Sequence, residues 1–146
     1  MKITAVRARV HEWKGKTVPP TGNFCSNAID LVYDNGAGRG LTRADTMHTF
    51  RFHAWTVVEV ETDAGITGYG EAHPGRSPGA VVSLINSTLH PMIAGMDACD
   101  VVGVFARGNR MQLSSHGLGA GAALAVSGID MALWDIRGKA ANMPLY

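Results

Sequence analysis

The sequence contains little that would direct the protein to a membrane or to nucleic acid. None of its apolar runs reaches the roughly 18 residues of a membrane span, and the start, MKITAVRARVHEW, lacks the apolar core of a signal peptide. The formal net charge of +1 comes without a large basic or acidic block. We therefore expect a cytoplasmic protein, with neither nucleic acid nor an anionic membrane surface as a partner.

The motifs of several enzyme classes are also lacking. There is no clustered set of histidines, Walker-type glycine loop, GxSxG elbow or CxxC pair. The glycines at 36, 38 and 40, and those at 117, 119 and 121, do not stand between a strand and a helix, which disfavours nucleotide binding. Cys25 and Cys99 are far apart and not in metal-type spacing, so we expect two reduced thiols rather than a disulfide or a metal site.

The chain has the size and composition of one globular domain. With 146 residues and 46% hydrophobic content, it can bury a modest core. It shows neither an internal repeat nor a linker, so we treat residues 1–146 as a single domain.

Three segments have the alternation of β-strands. In Lys2 to Val10 the more apolar face is the one expected to be buried, and its residues are Thr4, Val6, Ala8 and Val10. Phe50 to Glu61 is the clearest strand, with an inner face of Phe50, Phe52, Ala54, Thr56, Val58 and Val60. After a turn at Thr62 to Gly65, Ile66 to Glu71 returns as the second strand of a hairpin.

Glycine interrupts the returning strand at two positions. Gly68 and Gly70 both lie inside it. Glycine within a strand indicates either a β-bulge or the close approach of a neighbouring element. The sequence leaves these two alternatives open.

Three helices are predicted after the strands. Ser77 and Pro78 can start the first, and Pro91 should break it. Asp100 can cap a second helix through Leu113, with an inner set of Val101, Val102, Val104, Phe105 and Met111. The third runs from Ala120 to shortly after Lys139. The sequence thus predicts an α+β domain, a three-stranded antiparallel meander followed by three helices.

Small residues dominate the start of the third helix. They are Gly119, Ala120, Gly121, Ala122, Ala123, Ala125 and Ser127. Such a surface lets another element approach closely, at an entropic cost for each glycine. We expect it to be covered by something large, so the isolated chain should be marginally stable and should associate with itself.

A long irregular segment separates the first two strands. It extends from Glu12 to Met47 and contains Pro19, Pro20 and the turn-prone DNGAGRG. A loop of this length is usually a functional lid or a disordered segment, and we favour the lid. A second irregular loop spans Glu71 to Gly79.

Three stretches, MKITAVRAR, TVVEVETDAGITGYGEA and SGIDMALWDIRGKAANMPLY, resemble the N-terminal capping domain of the enolase superfamily in their order and spacing. The chain is most similar to the mandelate racemase and muconate lactonizing enzyme-like branch, and within it to acid-sugar dehydratases. The similarity covers nearly the whole chain except the long loop.

The resemblance implies an enzyme built from two parts. The cap lies over a β/α barrel, whose carboxylates hold Mg²⁺ and whose Lys or His base removes the proton next to a substrate carboxylate. A barrel needs roughly 250 residues, so the metal ligands and the base are expected outside this chain. No catalytic residue and no metal ligand is expected within it, and the chain would be a fragment, a truncated gene product or a deliberately shortened piece.

The resemblance also assigns a role to the two loops, which correspond to Val18 to Thr49 and Glu71 to Gly79. In relatives they contact the part of the substrate distal to its carboxylate. The candidate substrate-binding residues are Asn23, Asn27, His48 and His73 in the loops and Arg51 and His53 just beyond the first. Each could instead be solvated, and Arg51 or His53 could pair with an acid such as Glu12.

Four other polar or aromatic residues are better explained by structure. His116 is expected to lie in the turn before the long helix. Asp130, Trp134 and Asp135 resemble a recurring pattern of the family, but acids at this spacing more often fix a helix against its neighbours.

Three functions remain open after the sequence. The favoured one is a cap for a Mg²⁺-dependent dehydratase of a sugar acid. The second is a racemase or cycloisomerase of the same superfamily, and the third is a non-catalytic, cap-like binding module. The resemblance further implies a homo-oligomer.

Overall fold

A computed structural model describes residues 1–12, 54–73, 78–115 and 119–145. The strands are β1 (Ile3–Glu12), β2 (Ala54–Thr62) and β3 (Thr67–Ala72). They form an antiparallel sheet of order β1-β2-β3. Helices follow the strands, so the predicted α+β meander is confirmed.

The first helical stretch continues from Pro78 to Ile93 in three parts. They are α1 (Pro78–Ser83), a π-helical segment (Leu84–Leu89) and α2 (His90–Ile93). The predicted break near Pro91 is therefore wrong. Pro91 follows the π-helical segment directly, and the irregularity that a proline inside a helical stretch causes is found in the wider turns just before it.

The two remaining helices are α3 (Val101–Ser115) and α4 (Ala120–Ala141). Asp100 caps α3 as predicted, because its Oδ1 accepts a 3.0 Å hydrogen bond from the Gly103 N–H. Asn142 ends α4 in the left-handed conformation, with φ 51°. None of the helices in the described ranges is long and apolar enough to cross a bilayer.

The predicted inner faces of the strands are confirmed for Thr56, Val58 and Val60 of β2 and for Val6 and Ala8 of β1, all of which are buried. Val10 is half-buried, and Phe50, Phe52 and the side chain of Ala54 lie outside the described residues.

On β1, however, Thr4 is exposed and Ile3 is buried, contrary to the alternation. The segment after α2 covers the start of the strand. The Ile3 N–H donates to Met96 O at 2.9 Å, and the Gly95 N–H donates to Ile3 O at 2.8 Å.

Helix α4 lies against β3 at very short range. A Cβ atom on Gly68 would come far closer to the carbonyl oxygen of Ala132 than the 3.0 Å that real Cβ atoms keep. A Cβ on Gly70 would do the same with the carbonyl oxygen of Gly128. The β2–β3 pairing is regular from Thr56↔Ala72 to Glu61↔Thr67. The two strand glycines therefore mark a close neighbour and not a bulge.

Helical side chains satisfy backbone groups at both edges of the sheet. At β3, Asp135 Oδ2 accepts from the Tyr69 N–H at 2.8 Å, and Lys139 Nζ donates to Thr67 O at 2.8 Å. At β1, the Asn86 side-chain amide accepts from the Ala8 N–H and donates to Ala8 O, at 2.7 and 3.1 Å. Covering an edge in this way removes a template for pairing with another chain.

Two expectations about the helices need correction. Val102 and Phe105 are exposed, because the buried stripe of α3 consists of Val101, Val104, Gly108 and Gln112. The small residues at the start of α4 are divided. Ala122 and Ala125 are buried by the chain itself, while Gly119, Ala120 and Ala123 are exposed. The closest approach to α4 occurs further along, at Gly128 and Ala132.

Candidate functional site

The described ends of both predicted loops lie at one end of the sheet. At the opposite end, β1 and β2 are tied together, since the Lys2 N–H donates to Asp63 Oδ1 and the Asp63 N–H to Lys2 O, at 2.8 and 3.0 Å. Because the strands are antiparallel, the end of β1 and the start of β2 share the other end. The end of β3 is there too, because Thr56 pairs with Ala72.

Of the six predicted substrate-binding residues, the structure describes His73. It follows β3 directly, at the end of the sheet just defined, and its side chain is exposed. Asn23, Asn27, His48, Arg51 and His53 lie outside the described residues, as do His116 and the side chain of Glu12. The predicted set therefore remains a prediction.

An aromatic residue that sequence reasoning did not assign to the site lies close to His73. Trp55 and His73 are the residues next to the Thr56↔Ala72 pair. Side-chain alternation places Trp55 of β2 and Glu71 of β3 on the outer face of the sheet. The indole is 45% exposed. The sequence offered one indication that Trp55 belongs to the site, namely that it follows the predicted site residue His53 by two positions.

The second loop is shorter than predicted. Glu71 and Ala72 belong to β3, and Pro78 and Gly79 belong to α1. The connection is thus 73–77 instead of Glu71 to Gly79. The difference arises because β3 pairs through Ala72, two residues beyond the Gly70 position that lies against α4.

The expected structural role of Asp135 is confirmed by its contacts. Besides the Tyr69 N–H, Asp135 Oδ2 accepts from Lys139 Nζ at 2.6 Å. The same ammonium lies 4.8 Å from the centre of the Tyr69 ring. Asp135 and Lys139 therefore hold β3 in place, and β3 in turn positions His73.

Among the described residues, two carboxyl groups have shifted pKa values, and neither lies at the loop end of the sheet. A hydrogen bond from the backbone N–H of Cys99, helped by the chain's terminal amine, lowers the pKa of Asp97. The terminal amine of Met1 lies 3.3 Å from Asp97 Oδ1. Burial raises the pKa of Asp130, which lies between α3 and α4.

The described residues do not fit a magnesium site. Within the described ranges, no three His, Cys, Asp or Glu side chains are grouped so that they could hold a metal ion. Mg²⁺ in enzymes is held by carboxylates and other oxygen ligands in near-octahedral geometry. No chemical step at a metal can therefore be derived from these residues.

Comparison with known proteins identifies the fold. The family model described as mandelate racemase / muconate lactonizing enzyme, N-terminal domain, matches residues 41–146. A D-galactonate dehydratase family member from Paenibacillus sp. (strain JDR-2) is 38% identical over 108 residues, which cover 73% of this chain and 26% of that protein.

Solved structures agree with this match. An enolase superfamily member from Polaromonas sp. JS666 is 49% identical with a TM-score of 0.72, and the match covers 99% of this chain and 32% of that one. An enolase from Pantoea ananatis with bound D-gluconate and Mg is 25% identical with a TM-score of 0.64, covering 99% and 26%. The chain spans about a quarter to a third of the length of these relatives. It belongs to the mandelate racemase / muconate lactonizing enzyme family of the enolase superfamily, and it corresponds to the N-terminal domain.

Proposed function

We propose that the protein removes water from a sugar acid, and that this chain is the cap that binds the substrate away from its carboxylate. One observation supports the role of the cap: β1 ends, β2 begins and β3 ends at the same end of the sheet. The dehydratase name of the Paenibacillus relative and the D-gluconate in the Pantoea structure support the choice of substrate class.

The predicted residue types suit such a ligand. A sugar acid carries a row of hydroxyls, each of which donates and accepts a hydrogen bond. Asn and His side chains offer both kinds of group, and Arg can hold a second carboxylate with two parallel hydrogen bonds. His73 already lies at the loop end of the sheet. Trp55, beside it, would cover an apolar side of the sugar and exclude water.

The proposed reaction removes a proton from the carbon next to the carboxylate and a hydroxide from the following carbon. The resulting enol becomes a 2-keto-3-deoxy acid. A carbon acid of this kind is very weak, so the base and the groups that stabilise the developing charge must be precisely placed. We propose that the base and the charge-stabilising groups belong to residues outside this chain, and that residues outside this chain also bind the metal.

The reaction is tested on the protein expressed from its complete gene, after its intact mass has been measured. We expect a mass well above the 15.5 kDa of this chain and formation of a 2-keto-3-deoxy product from at least one acid in a panel that includes D-galactonate and D-gluconate, with Mg²⁺ present. No turnover across the panel would contradict the proposal. Exchange of the proton next to the carboxylate in D₂O without loss of water would instead favour a racemase or cycloisomerase. A mass near 15.5 kDa with stable folding would favour a non-catalytic module.

The role of the loop end is tested by His73→Gln. Loss of a hydrogen bond to the substrate should lower kcat/KM by about tenfold. The matched control is His90→Gln, since His90 is on α2, close to the connection that covers the opposite end of β1. An equal effect of the two substitutions, or none from His73→Gln, would remove His73 from the site.

A further inference from the structure

An open cleft of about 410 Å³ lies beside the start of α4. Ser83 of α1 and Leu84 and Thr88 of the π-helical segment line it, and α3 contributes Gln112. The cleft has more than ten times the roughly 30 Å³ that one water molecule occupies, and its volume falls among those of small-molecule sites, about 300 to 1,000 Å³. It therefore has room for a ligand of several carbon atoms.

Gln112 is an unusual residue for its position on α3. Its side chain is 0% exposed, and neither the amide nitrogen nor the amide oxygen has a hydrogen-bond partner. A buried polar group without a partner destabilises a folded protein, whereas leucine would continue the buried stripe of α3 without this loss. Two unpaired atoms on one side chain that lines a cleft point to a ligand that completes their hydrogen bonds.

The start of α4 adds hydrogen-bond donors to the same cleft. Gly119, the residue before the helix, and Ala122 both line it. The N–H groups of residues 120 to 122 have no carbonyl acceptor within the helix, and Gly119 has no side chain that could accept from them. They also form the positive end of a 22-residue helix, which favours an anion. No acid among the described lining residues opposes an anion here.

We propose that this cleft binds the carboxylate of a small hydroxy acid. The carboxylate accepts hydrogen bonds from the first N–H groups of α4 and from Nε2 of Gln112. A hydroxyl of the same ligand donates to Oε1 of Gln112, so both amide atoms gain a partner. A sulfate ion only accepts hydrogen bonds and would leave Oε1 unpaired, and one water molecule would leave most of the cleft unfilled. A ligand that has both a carboxylate and a hydroxyl meets both requirements.

The start of α4 lies towards the loop end of the sheet. Gly68 of β3 lies against Ala132, and Gly70 lies against Gly128, so α4 runs in the direction opposite to β3. The carboxylate can therefore come from two sources. One is the far carboxylate of a dicarboxylic sugar acid, for which the inference rests on the proposed function. The other is a hydroxy acid that binds independently of the reaction.

The site is tested by calorimetry on the protein expressed from its complete gene. The probes are D-glucarate, D-gluconate and D-glucitol, which have two, one and no carboxylates. Gln112→Leu removes both amide atoms and should weaken binding at the cleft at least about tenfold. It should also raise the urea midpoint, because an unpaired buried group is lost. The matched control is Thr56→Val, since Thr56 Oγ1 is also buried and unpaired but lies outside the described lining of the cleft. It should raise the midpoint and leave binding unchanged.

A second variant fills the site from within the chain. Gly119 has an extended backbone, and a Cβ atom there would have open space. In Gly119→Asp, the new carboxylate accepts from the first N–H groups of α4 and takes the place of the ligand. Binding should weaken at least about tenfold while the fold becomes no less stable. Gly119→Ala adds the Cβ without an acceptor and should bind like the parent.

The parent protein distinguishes the two sources. A carboxylate of the substrate predicts that D-glucarate binds at least about tenfold more tightly than D-gluconate, and that Gln112→Leu removes this advantage. An independent hydroxy acid predicts two D-gluconate sites per chain, of which Gln112→Leu removes one. D-glucitol should not bind at the cleft in either case.

The inference is overturned if the parent shows neither the advantage nor the second site. It is also overturned if Gln112→Leu and Gly119→Asp bind both acids like the parent, which would leave water as the partner of Gln112. Calorimetry requires no turnover, so failure of the proposed reaction and failure of this site are recognised separately.

Discussion

Helix α4 has two sides that differ in their contacts with the rest of the chain. One side packs against β3, and the other is largely exposed. On the side that faces β3, glycine meets helix backbone, and Asp135 and Lys139 bind backbone groups of the strand edge. On the outer side, Trp134 and Met131 are exposed, and Asp130 has no ion-pair partner among the described residues. The first side is what folding of the chain alone requires. The second leaves apolar area that these 146 residues do not cover by themselves.

The largest effect is expected from Gly70→Ala on the side that packs against β3. The new Cβ would collide with the carbonyl oxygen of Gly128 and approach the Ala132 N atom to 2.8 Å. Both are backbone atoms and cannot rotate away, so the strand and helix must separate. We expect a loss of about 3 kcal/mol or more in the free energy of unfolding, measured with urea.

The control for Gly70→Ala is Gly79→Ala in α1, where a Cβ would have open space. Alanine is the better helix former, so this change should be neutral or stabilising by up to about 1 kcal/mol. A Gly70→Ala protein with the urea midpoint of its parent would show that β3 and α4 are not in close contact.

Neighbouring residues on the two sides allow a direct test of the contrast. Leu133 is fully buried and Trp134 is half exposed. Leu133→Ala should cost about 2 to 5 kcal/mol of unfolding free energy because it leaves a cavity. Trp134→Ala should change it by less than about 1 kcal/mol when measured at high dilution. Similar losses for both would mean that the outer side also contributes to the core.

A smaller effect is expected from Asp135→Ala. The Tyr69 N–H and Lys139 would lose a shared acceptor, at a cost of about 1 to 3 kcal/mol. Hydrogen exchange at the Tyr69 amide should accelerate at the same time. Arg137→Ala, on the outer side, is the matched control and should leave that amide protected. Unchanged exchange in Asp135→Ala would contradict the assigned role.

The smallest effect is expected at the opposite edge of the sheet. Asn86→Ala removes both hydrogen bonds to Ala8 of β1 and should cost about 1 kcal/mol, because both are neutral hydrogen bonds, whereas those of Asp135 involve a charged carboxylate. Ser87→Ala, at the next and exposed position, is the control. A loss equal to that of Asp135→Ala would mean that both edges depend on their helices to the same extent.

The sequence predicted the positions of strands and helices better than it predicted which of their side chains are buried. Strand alternation placed Thr56, Val58 and Val60 inside, and Asp100 and Asn142 were found at the helix ends. In α3, however, four of the first five residues are apolar, so periodicity did not fix the buried stripe. That stripe continues through Gly108 and Gln112, which hydropathy does not mark as core.

The candidate site was less accessible to prediction. His73 is at the expected end of the sheet, while the other five residues lie outside the described residues. Asn23 and Asn27 belong to the segment from Glu12 to Met47, whose sequence has little periodicity from which a position could be predicted. For Asp135, the sequence predicted a structural role but not the partner. That partner, the N–H of Tyr69, is 66 residues away in sequence.

The glycine contact between β3 and α4 also determines which residues of β3 can face the helix. A slip of β3 by one residue would turn Tyr69 or Glu71 towards α4, where not even a methyl group fits. Misaligned hairpins are thereby rejected by size alone. The contact with α4 therefore fixes the register of β3. The register of β3 in turn determines where His73 and the start of the second loop lie.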